Sequence, residues 1–233
     1  GGRCVRLFQG DFGRLTEYPA EPLELAREYA AAGAPLLHVV DLDAAAGEGD
    51  NTGLIARITA SLDASVQCGG GVRATEDVQS RLASGVQRVV VGSVAARTPA
   101  QFGAWLQRFG GERLVAALDV RGNGDTWRPA VDGWREESAR DLFELLAELQ
   151  GHGLRHLLCT DIERDGTLQG PAVDLYAHIR QRFPEIRLQA SGGIRSLDDL
   201  RELDALGCSG AVVGKALLEG RFTVGEALEV LRP

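Results

Sequence analysis

Short, almost uninterrupted runs of Val, Leu and Ile alternate with longer segments whose apolar residues recur at helical spacing. Runs that are apolar at successive positions are typical of strands buried on both faces, as in parallel sheets. They predict seven strands, at Leu36 to Leu42, Val66 to Cys68, Arg88 to Val91, Leu114 to Leu118, Leu157 to Thr160, Leu188 to Ala190 and Ala211 to Val213.

The segments between these runs predict helices, several of which carry start or stop signals. Ser138 and Ser196 stand where N-caps are expected, and Gly33 and Gly207 stand where a helix ends. The predicted helices are Pro22 to Ala32, Thr52 to Ser61, Ala74 to Ser84, Thr98 to Phe109, Ser138 to His152, Val173 to Arg182, Ser196 to Leu206 and Val224 to Leu231. Strict alternation of strand and helix predicts a parallel α/β fold.

An internal repeat divides the sequence into two halves. Gly69-Gly70-Gly71-Val72-Arg73 returns about 122 residues later as Ser191-Gly192-Gly193-Ile194-Arg195. Each copy precedes a helical segment and then a strand that ends in Val-Gly, at Val91-Gly92 and Val213-Gly214. Two similar half-barrels of four β/α units predict a single-domain (β/α)8 TIM barrel over residues 1–233. By the same offset, we expect the first strand of this barrel to precede Gly1 and to be missing from the sequence.

Composition narrows the class of partner. The 233 residues are 44% hydrophobic, enough for the core of one barrel, and the net charge is −8. An acidic protein is poorly suited to general binding of nucleic acid or membrane surfaces, because phosphate groups repel it. No apolar run approaches the roughly 18 residues of a membrane-spanning helix. The four cysteines lie far apart, so we expect reduced thiols and a cytoplasmic protein.

Glycine-rich turns follow four of the predicted strands, which places them at the C-terminal face of a barrel. Glycine lets the backbone approach a phosphate closely, and N–H groups at a helix start bind phosphate oxygens. The duplicated pattern predicts two phosphate sites, and so a substrate with a phosphate at each end, although tight turns alone also explain such glycines. The candidates are Gly70, Gly71, Gly92 and Ser93 in one half and Ser191, Gly192, Gly193, Gly214 and Lys215 in the other.

Carboxylates at strand ends are the candidate acid and base. Interconverting sugar tautomers needs both groups, on opposite sides of the reacting carbons. Asp119 ends the fifth barrel strand, and Asp165 follows the sixth, where the Thr160 hydroxyl can orient a substrate oxygen. Asp41 and Asp161 are better explained as helix caps or loop residues.

Two further residue types bear on the chemistry. Trp134 lies in a polar loop after the fifth strand, where an indole can stack on a planar heterocycle, although local packing also explains it. The four histidines show no metal-ligand spacing, so we expect no metal site.

Motifs along the whole sequence resemble one family. They include Val5-Arg6-Leu7-x-Gln9-Gly10-Asp11, Gly69-Gly70-Gly71-Val72-Arg73, Ala117-Leu118-Asp119, Gly133-Trp134, Cys159-Thr160-Asp161-Ile162-x-Arg164-Asp165-Gly166-Thr167 and Val213-Gly214-Lys215. The sequence with these motifs resembles the phosphoribosylformimino-5-aminoimidazole carboxamide ribotide isomerases of histidine biosynthesis. The resemblance implies an Amadori rearrangement of a bis-phosphorylated aminoaldose to an aminoketose, with no cofactor and no metal.

The resemblance also implies roles for matching residues. Asp119 and Asp165 both match acids of the family, and the sequence does not decide between them. The family's base is an aspartate in a Pro-Ala-x-Asp motif at the end of the first strand, which we expect before Gly1. The other implied contacts are substrate positioning by Thr160, stacking by Trp134, a mobile-loop contact from Arg73, and phosphate binding that includes Gly166 and Thr167.

Three alternatives remain. The sister cyclase of the same pathway would carry a Lys near position 6 and Thr-Ser-Ile-Asp in the sixth strand, whereas this sequence has Arg6 and Thr160-Asp161-Ile162. A bifunctional isomerase would also act on phosphoribosyl anthranilate. A non-catalytic barrel would bind the bis-phosphate without turnover. In each case we expect a monomer with a small-molecule partner.

Overall fold

The computed structural model describes residues 1–8, 10–123, 126–131, 134 and 136–231. The strands are β1 (Val5–Phe8), β2 (Asp11–Glu17), β3 (Leu36–Val40), β4 (Ser65–Gly69), β5 (Arg88–Val91), β6 (Leu114–Asn123), β7 (Thr126–Val131), β8 (Glu136–Glu137), β9 (His156–Asp161), β10 (Arg187–Ser191) and β11 (Gly210–Val212). The helices are α1 (Pro22–Ala31), α2 (Leu42–Ala46), α3 (Thr52–Ala60), α4 (Thr75–Ala83), α5 (Ser93–Arg97), α6 (Pro99–Phe109), α7 (Leu142–Gly151), α8 (Val173–Arg182), α9 (Leu197–Ala205), α10 (Lys215–Leu218) and α11 (Val224–Val230).

Seven strands form a parallel ladder in the order β3-β4-β5-β6-β9-β10-β11, with helices between consecutive strands. This mostly parallel, nearly closed barrel is a TIM-barrel fold, as the sequence predicted. Among the described residues, the ladder runs from β3 to β11. The additional strand expected before Gly1 stays a prediction.

Hairpins account for the strands that the apolar pattern did not predict. β1 and β2 form an antiparallel pair with Val5 opposite Glu17, and β6 continues past the barrel to pair with β7. The helix predicted from Ser138 was wrong at its start. The Ser138 N–H donates to the Pro129 carbonyl at 2.7 Å, which extends the hairpin. α7 begins later, where the Asp141 carboxylate accepts from the Phe143 N–H at 2.8 Å.

The strand predicted at Leu36 to Leu42 was also too long at its C-terminal end. β3 stops at Val40, because Asp41 caps α2 and its carboxylate accepts from the Ala44 N–H at 3.2 Å. Two other short helices, α5 and α10, likewise begin directly after barrel strands. Helices at these positions turn their first N–H groups toward the mouth of the barrel.

Alternation along the strands divides the buried residues into two sets. In β6, Leu118 belongs to the large core that includes the helices, whereas Val115 packs with Val90 and Leu158 in a smaller cluster. Because side chains two positions apart share a face, Asp119 continues the series that begins at Val115. β6 therefore directs a carboxylate into the barrel mouth at Asp119, just before it continues into the hairpin with β7.

The two halves repeat in backbone geometry as well as in sequence. Gly70 and Gly192 have φ angles of +99° and +95°, which favour glycine. Gly92 has φ −94° and ψ −88°, and Gly214 has φ −110° and ψ −80°. The predicted duplication thus produces two loops of the same shape at the C-terminal face of the barrel.

Candidate active site

A carboxylate, a hydroxyl and an indole meet at the mouth of the barrel. Asp119 and Thr160 are neighbours in the register of β6 and β9, which brings the Thr160 side chain beside the Asp119 carboxylate. The Trp134 indole N–H donates to Asp119 Oδ2 at 2.8 Å. Trp134 has φ +70°, and its ring also lies against Gly10 at the β1–β2 turn, where a Cβ would be 3.0 Å from the ring. The structure therefore brings together three residues that the sequence singled out separately.

The environment of Asp119 favours its protonated form. Burial raises the pKa of Asp119 and the charge of Asp165 raises it further, while hydrogen bonds from Trp134 and Thr160 oppose the shift. The net effect places the pKa of Asp119 above its ordinary value. A carboxyl group that keeps its proton closer to neutral pH is suited to act as a general acid.

Asp165, the other candidate, is held by an arginine of the β1–β2 hairpin. Arg6 Nη2 lies 2.9 Å from both Asp165 Oδ1 and Asp165 Oδ2. The two side chains are 23% and 18% exposed, so the ion pair is partly shielded from water. In this arrangement both carboxylate oxygens of Asp165 are bound to Arg6.

The second predicted phosphate site forms a pocket at the ends of β9, β10 and β11. The Tyr176 hydroxyl donates to the Ser191 carbonyl at 2.6 Å and fixes the end of β10. Lys215 opens α10, and its Nζ donates to the Gly166 carbonyl at 3.0 Å. The residues that line this pocket are Arg6, Asp165, Gly166, Leu168, Ser191, Gly192, Gly193, Ile194, Val212, Gly214 and Lys215.

The glycines of this pocket differ in whether close packing requires them. A Cβ at Gly192 would lie 2.8 Å from the Asp161 carbonyl oxygen, and one at Gly193 would lie 2.2 Å from that of Gly170. Close backbone contact between neighbouring loops therefore requires both glycines, whether or not a ligand binds. A Cβ at Gly214 would lie 3.5 Å from its nearest atom, Arg6 Nη1, which is an ordinary contact, so close packing does not require glycine at this turn.

In the first predicted phosphate site, too, close packing requires some of the glycines but not all of them. A Cβ at Gly70 would lie 2.2 Å from the Asp41 carbonyl oxygen, and one at Gly71 would lie 2.7 Å from the Ala44 carbonyl oxygen of α2. A Cβ at Gly92, just before Ser93 at the start of α5, would lie 3.7 Å from the Ala117 carbonyl oxygen, an ordinary contact, so close packing does not require this glycine. Arg73 donates to two carbonyls of α2, at 2.8 and 3.2 Å. Its predicted contact with substrate stays a prediction.

Comparison with known proteins identifies the family. A family model described as "Histidine biosynthesis protein" matches residues 1–223. The chain belongs to this histidine biosynthesis family.

Two similar proteins carry the same name. A protein of Maricaulis maris is 46% identical over 231 residues, which covers 99% of this chain and 95% of the relative. One from Aliivibrio fischeri is 47% identical over 233 residues, with 98% and 94% covered. Both are named as the isomerase of 1-(5-phosphoribosyl)-5-((5-phosphoribosylamino)methylideneamino)imidazole-4-carboxamide. The family resemblance that the motifs indicated is therefore confirmed.

Other strand-end acids of this family member are engaged in structural contacts. Asp41 accepts from Arg81 Nη2 at 2.7 Å and from both the backbone and side-chain amides of Asn51 at 2.8 Å. Burial alone would raise the pKa of Asp41, but the hydrogen bonds from Asn51 and Arg81 outweigh it and lower the pKa. Asp161 accepts from the Glu163 N–H at 2.9 Å and lies 3.4 Å from Arg164 Nε. Both contacts agree with the structural interpretation that we preferred from sequence.

Within the described residues, no group of three or more His, Cys, Asp or Glu side chains is arranged to hold a metal ion. In the same part of the chain, no helix is both long enough and apolar enough to cross a membrane. Gln9 and Gly133, which contribute to the family motifs, lie outside the described residues.

Arg6 and a buried pair of glutamines are the site features that sequence reasoning missed. Arg6 was part of a family motif, but nothing in the apolar pattern placed the β1–β2 hairpin over the barrel mouth. Gln67 Nε2 donates to Gln189 Oε1 at 2.6 Å, and Gln189 Nε2 donates to Gln67 Oε1 at 3.1 Å. The two glutamines stand 122 residues apart, so the repeat offset itself was the signal that links them.

Proposed function

We propose that this protein is an isomerase that acts on the bis-phosphorylated imidazole carboxamide named for its relatives. The reaction is an Amadori rearrangement, in which an aminoaldose becomes an aminoketose. The observation that carries the proposal is Asp119, a carboxyl group with a raised pKa at the barrel mouth, between two loops of repeated geometry.

The chemistry needs one acid and one base. The acid, which we assign to Asp119, protonates the ribose ring oxygen, the C1–O bond breaks, and the ring opens to a Schiff base. A base then removes the C2 proton, and the resulting enolamine ketonises as a proton returns to C1. The resemblance places the base on an aspartate of the first strand. Asp165 remains the alternative acid, and its carboxylate is bound by Arg6 in the structure.

The remaining site residues would bind and orient the substrate. Thr160, which already touches Asp119, would position a sugar oxygen. Trp134 would leave its contact with Asp119 and stack on the imidazole ring. Arg73 would contact the substrate from a mobile loop. The two phosphates would bind at Gly70, Gly71, Gly92 and Ser93 in one half and at Gly166, Thr167, Ser191, Gly192, Gly193, Gly214 and Lys215 in the other.

We further propose a cytoplasmic monomer that needs no cofactor. The acids and phosphate loops assigned to the site all come from a single chain. Cys68 and Cys208 are free thiols whose pKa burial raises to about 11, which keeps them unreactive. Free thiols of this kind are typical of a reducing compartment.

The test is turnover of the bis-phosphorylated aminoaldose by the purified protein in the presence of a chelator. We expect the aminoketose to accumulate, as followed by chromatography and mass spectrometry, with no change of mass between substrate and product. Absence of any ketose, or a product that requires added metal, would contradict the proposal.

A further inference from the structure

Arg6 spans two functional elements of the second pocket. Its guanidinium donates to both oxygens of Asp165. The same group lies over the glycine turns, because a Cβ at Gly166 would be 3.1 Å from Nη2 and one at Gly214 would be 3.5 Å from Nη1. A cation in this position lies over the Gly214 turn and lines the same pocket as Asp165 and Lys215.

The pocket contains a second cation that is differently engaged. Lys215 Nζ donates to the Gly166 carbonyl and lies 3.7 Å from a carboxylate oxygen of Glu219. Arg6 therefore differs from Lys215, because the present partner of Arg6 is Asp165, which is itself a candidate acid. A guanidinium binds two oxygens in a fork, and phosphate offers the same geometry as a carboxylate with more negative charge.

We propose that Arg6 is a ligand for the phosphate of the second site and that it exchanges Asp165 for this phosphate when substrate binds. This inference deepens the proposed function and rests on it for the identity of the substrate. The exchange would free the Asp165 carboxylate from its counter-ion only in the presence of a bound phosphate. Substrate binding and the availability of Asp165 would thus be coupled through one side chain on the β1–β2 hairpin.

Phosphate binding tests the exchange without requiring turnover. Inorganic phosphate would be titrated at constant ionic strength into ¹⁵N-labelled protein. The backbone amides of Gly193 and Gly214 report the second site, and those of Gly71 and Ser93 report the first. The variants are R6Q, D165N and the double variant R6Q/D165N. The matched control is R3Q, since Arg3 forms an exposed ion pair with Glu17 on the same hairpin, with side chains 62% and 46% exposed.

The exchange predicts opposite signs for the two single variants. R6Q should weaken phosphate binding at the second site by about tenfold or more, because it removes a charge-assisted hydrogen bond. D165N should strengthen binding there several-fold, because Arg6 no longer has a competing carboxylate. The gain from D165N should shrink in the R6Q background, and R3Q should behave like the unmutated protein.

Other outcomes overturn the proposal. If R6Q and D165N both weaken phosphate binding, the ion pair of Arg6 and Asp165 only stabilises the position of the hairpin. If D165N strengthens binding equally with and without Arg6, the gain is simple removal of charge. If phosphate does not change the amide signals of Gly193 and Gly214, then phosphate does not bind at the second site. The predicted titrations combined with failed turnover would reject the isomerase function and leave the role of Arg6 standing.

Discussion

Trp134 donates its indole N–H to Asp119 over 2.8 Å, so a residue expected to stack on substrate is bound to the candidate acid. The hydrogen bond stabilises the ionised carboxylate and therefore opposes the rise in the pKa of Asp119 that burial causes. The negative charge of Asp165 raises the pKa of Asp119, as burial does. The protonation of Asp119 is thus set by identifiable neighbours that can be removed one at a time.

Two variants should move the pKa of Asp119 in opposite directions. Trp134→Phe removes a donor to the ionised form, so the pKa of Asp119 should rise further. Asp165→Asn removes a negative charge, so the pKa should fall. Carboxyl ¹³C chemical shifts of labelled aspartate, followed over a pH titration, measure both without reference to turnover. Shifts of the same sign would show that Trp134 and Asp165 do not control this group.

The reciprocal pair of Gln67 and Gln189 should show strong energetic coupling. Gln67 is fully buried and Gln189 nearly so, and each satisfies the other's amide. Gln67→Leu should cost about 1–3 kcal/mol in the free energy of unfolding, because the Gln189 amide is left buried without its partner. The double variant with Gln189→Leu should cost less than the sum of the single variants.

Urea unfolding of the four proteins measures this coupling. Gln101→Leu is the matched control, because its side-chain amide makes an exposed contact with the Arg73 carbonyl at 3.3 Å. This control should change stability little. Strict additivity of the two core substitutions would mean that the amide pair contributes no specific interaction between the half-barrels.

His38 should make stability depend on pH. Burial lowers the pKa of His38 to about 4, and its Nδ1 lies 3.1 Å from Gln67 Nε2, which donates to the neutral ring. The unfolded chain takes up this proton near pH 6.5, so stability should fall as the pH drops from there to about 4. The loss is at most about 3 kcal/mol. In His38→Leu this part of the pH dependence should vanish in unfolding experiments. An identical slope in both proteins would be inconsistent with a neutral His38 in the folded protein.

Asp41 should matter for stability rather than for chemistry. It forms a buried ion pair with Arg81, whose side chain is 6% exposed. Asp41→Ala should cost about 3–5 kcal/mol, because it leaves a buried guanidinium without its carboxylate. Asp198→Asn, which removes only an exposed helical pair with Arg201, is the control and should cost little. A small cost for Asp41→Ala, measured by denaturant unfolding, would contradict the structural role assigned to it.

The barrel could be predicted because its determinants are local and repeated. Strands buried on both faces give continuous apolar runs, as in Arg88–Val91, which the structure reproduces as β5. The helix Val173–Arg182 was likewise predicted with its observed bounds. The β1–β2 hairpin was not, because β2 is exposed along its whole length and so has no alternating apolar face.

The residues of the candidate site could be predicted from the sequence, but the contacts between them could not. The repeat and the strand ends identified Asp119, Thr160 and Gly214 from residue type and spacing. The contact of Arg6 with Asp165 joins residues 159 apart in the chain and depends on how a hairpin lies over the barrel. Periodicity carries no information of that kind, since it reports only which face of a segment is buried.

Turnover by Asp119→Asn tests the assignment of the acid most directly. The substitution keeps the shape of the side chain and removes the transferable proton, so kcat should fall by about 10²–10⁴-fold. Substrate should still bind, because both phosphate loops remain. Asp161→Asn, at the end of the neighbouring strand, is the matched comparison and should retain far more activity. If Asp119→Asn turns over substrate at close to the unmutated rate, Asp119 is not the acid of this reaction.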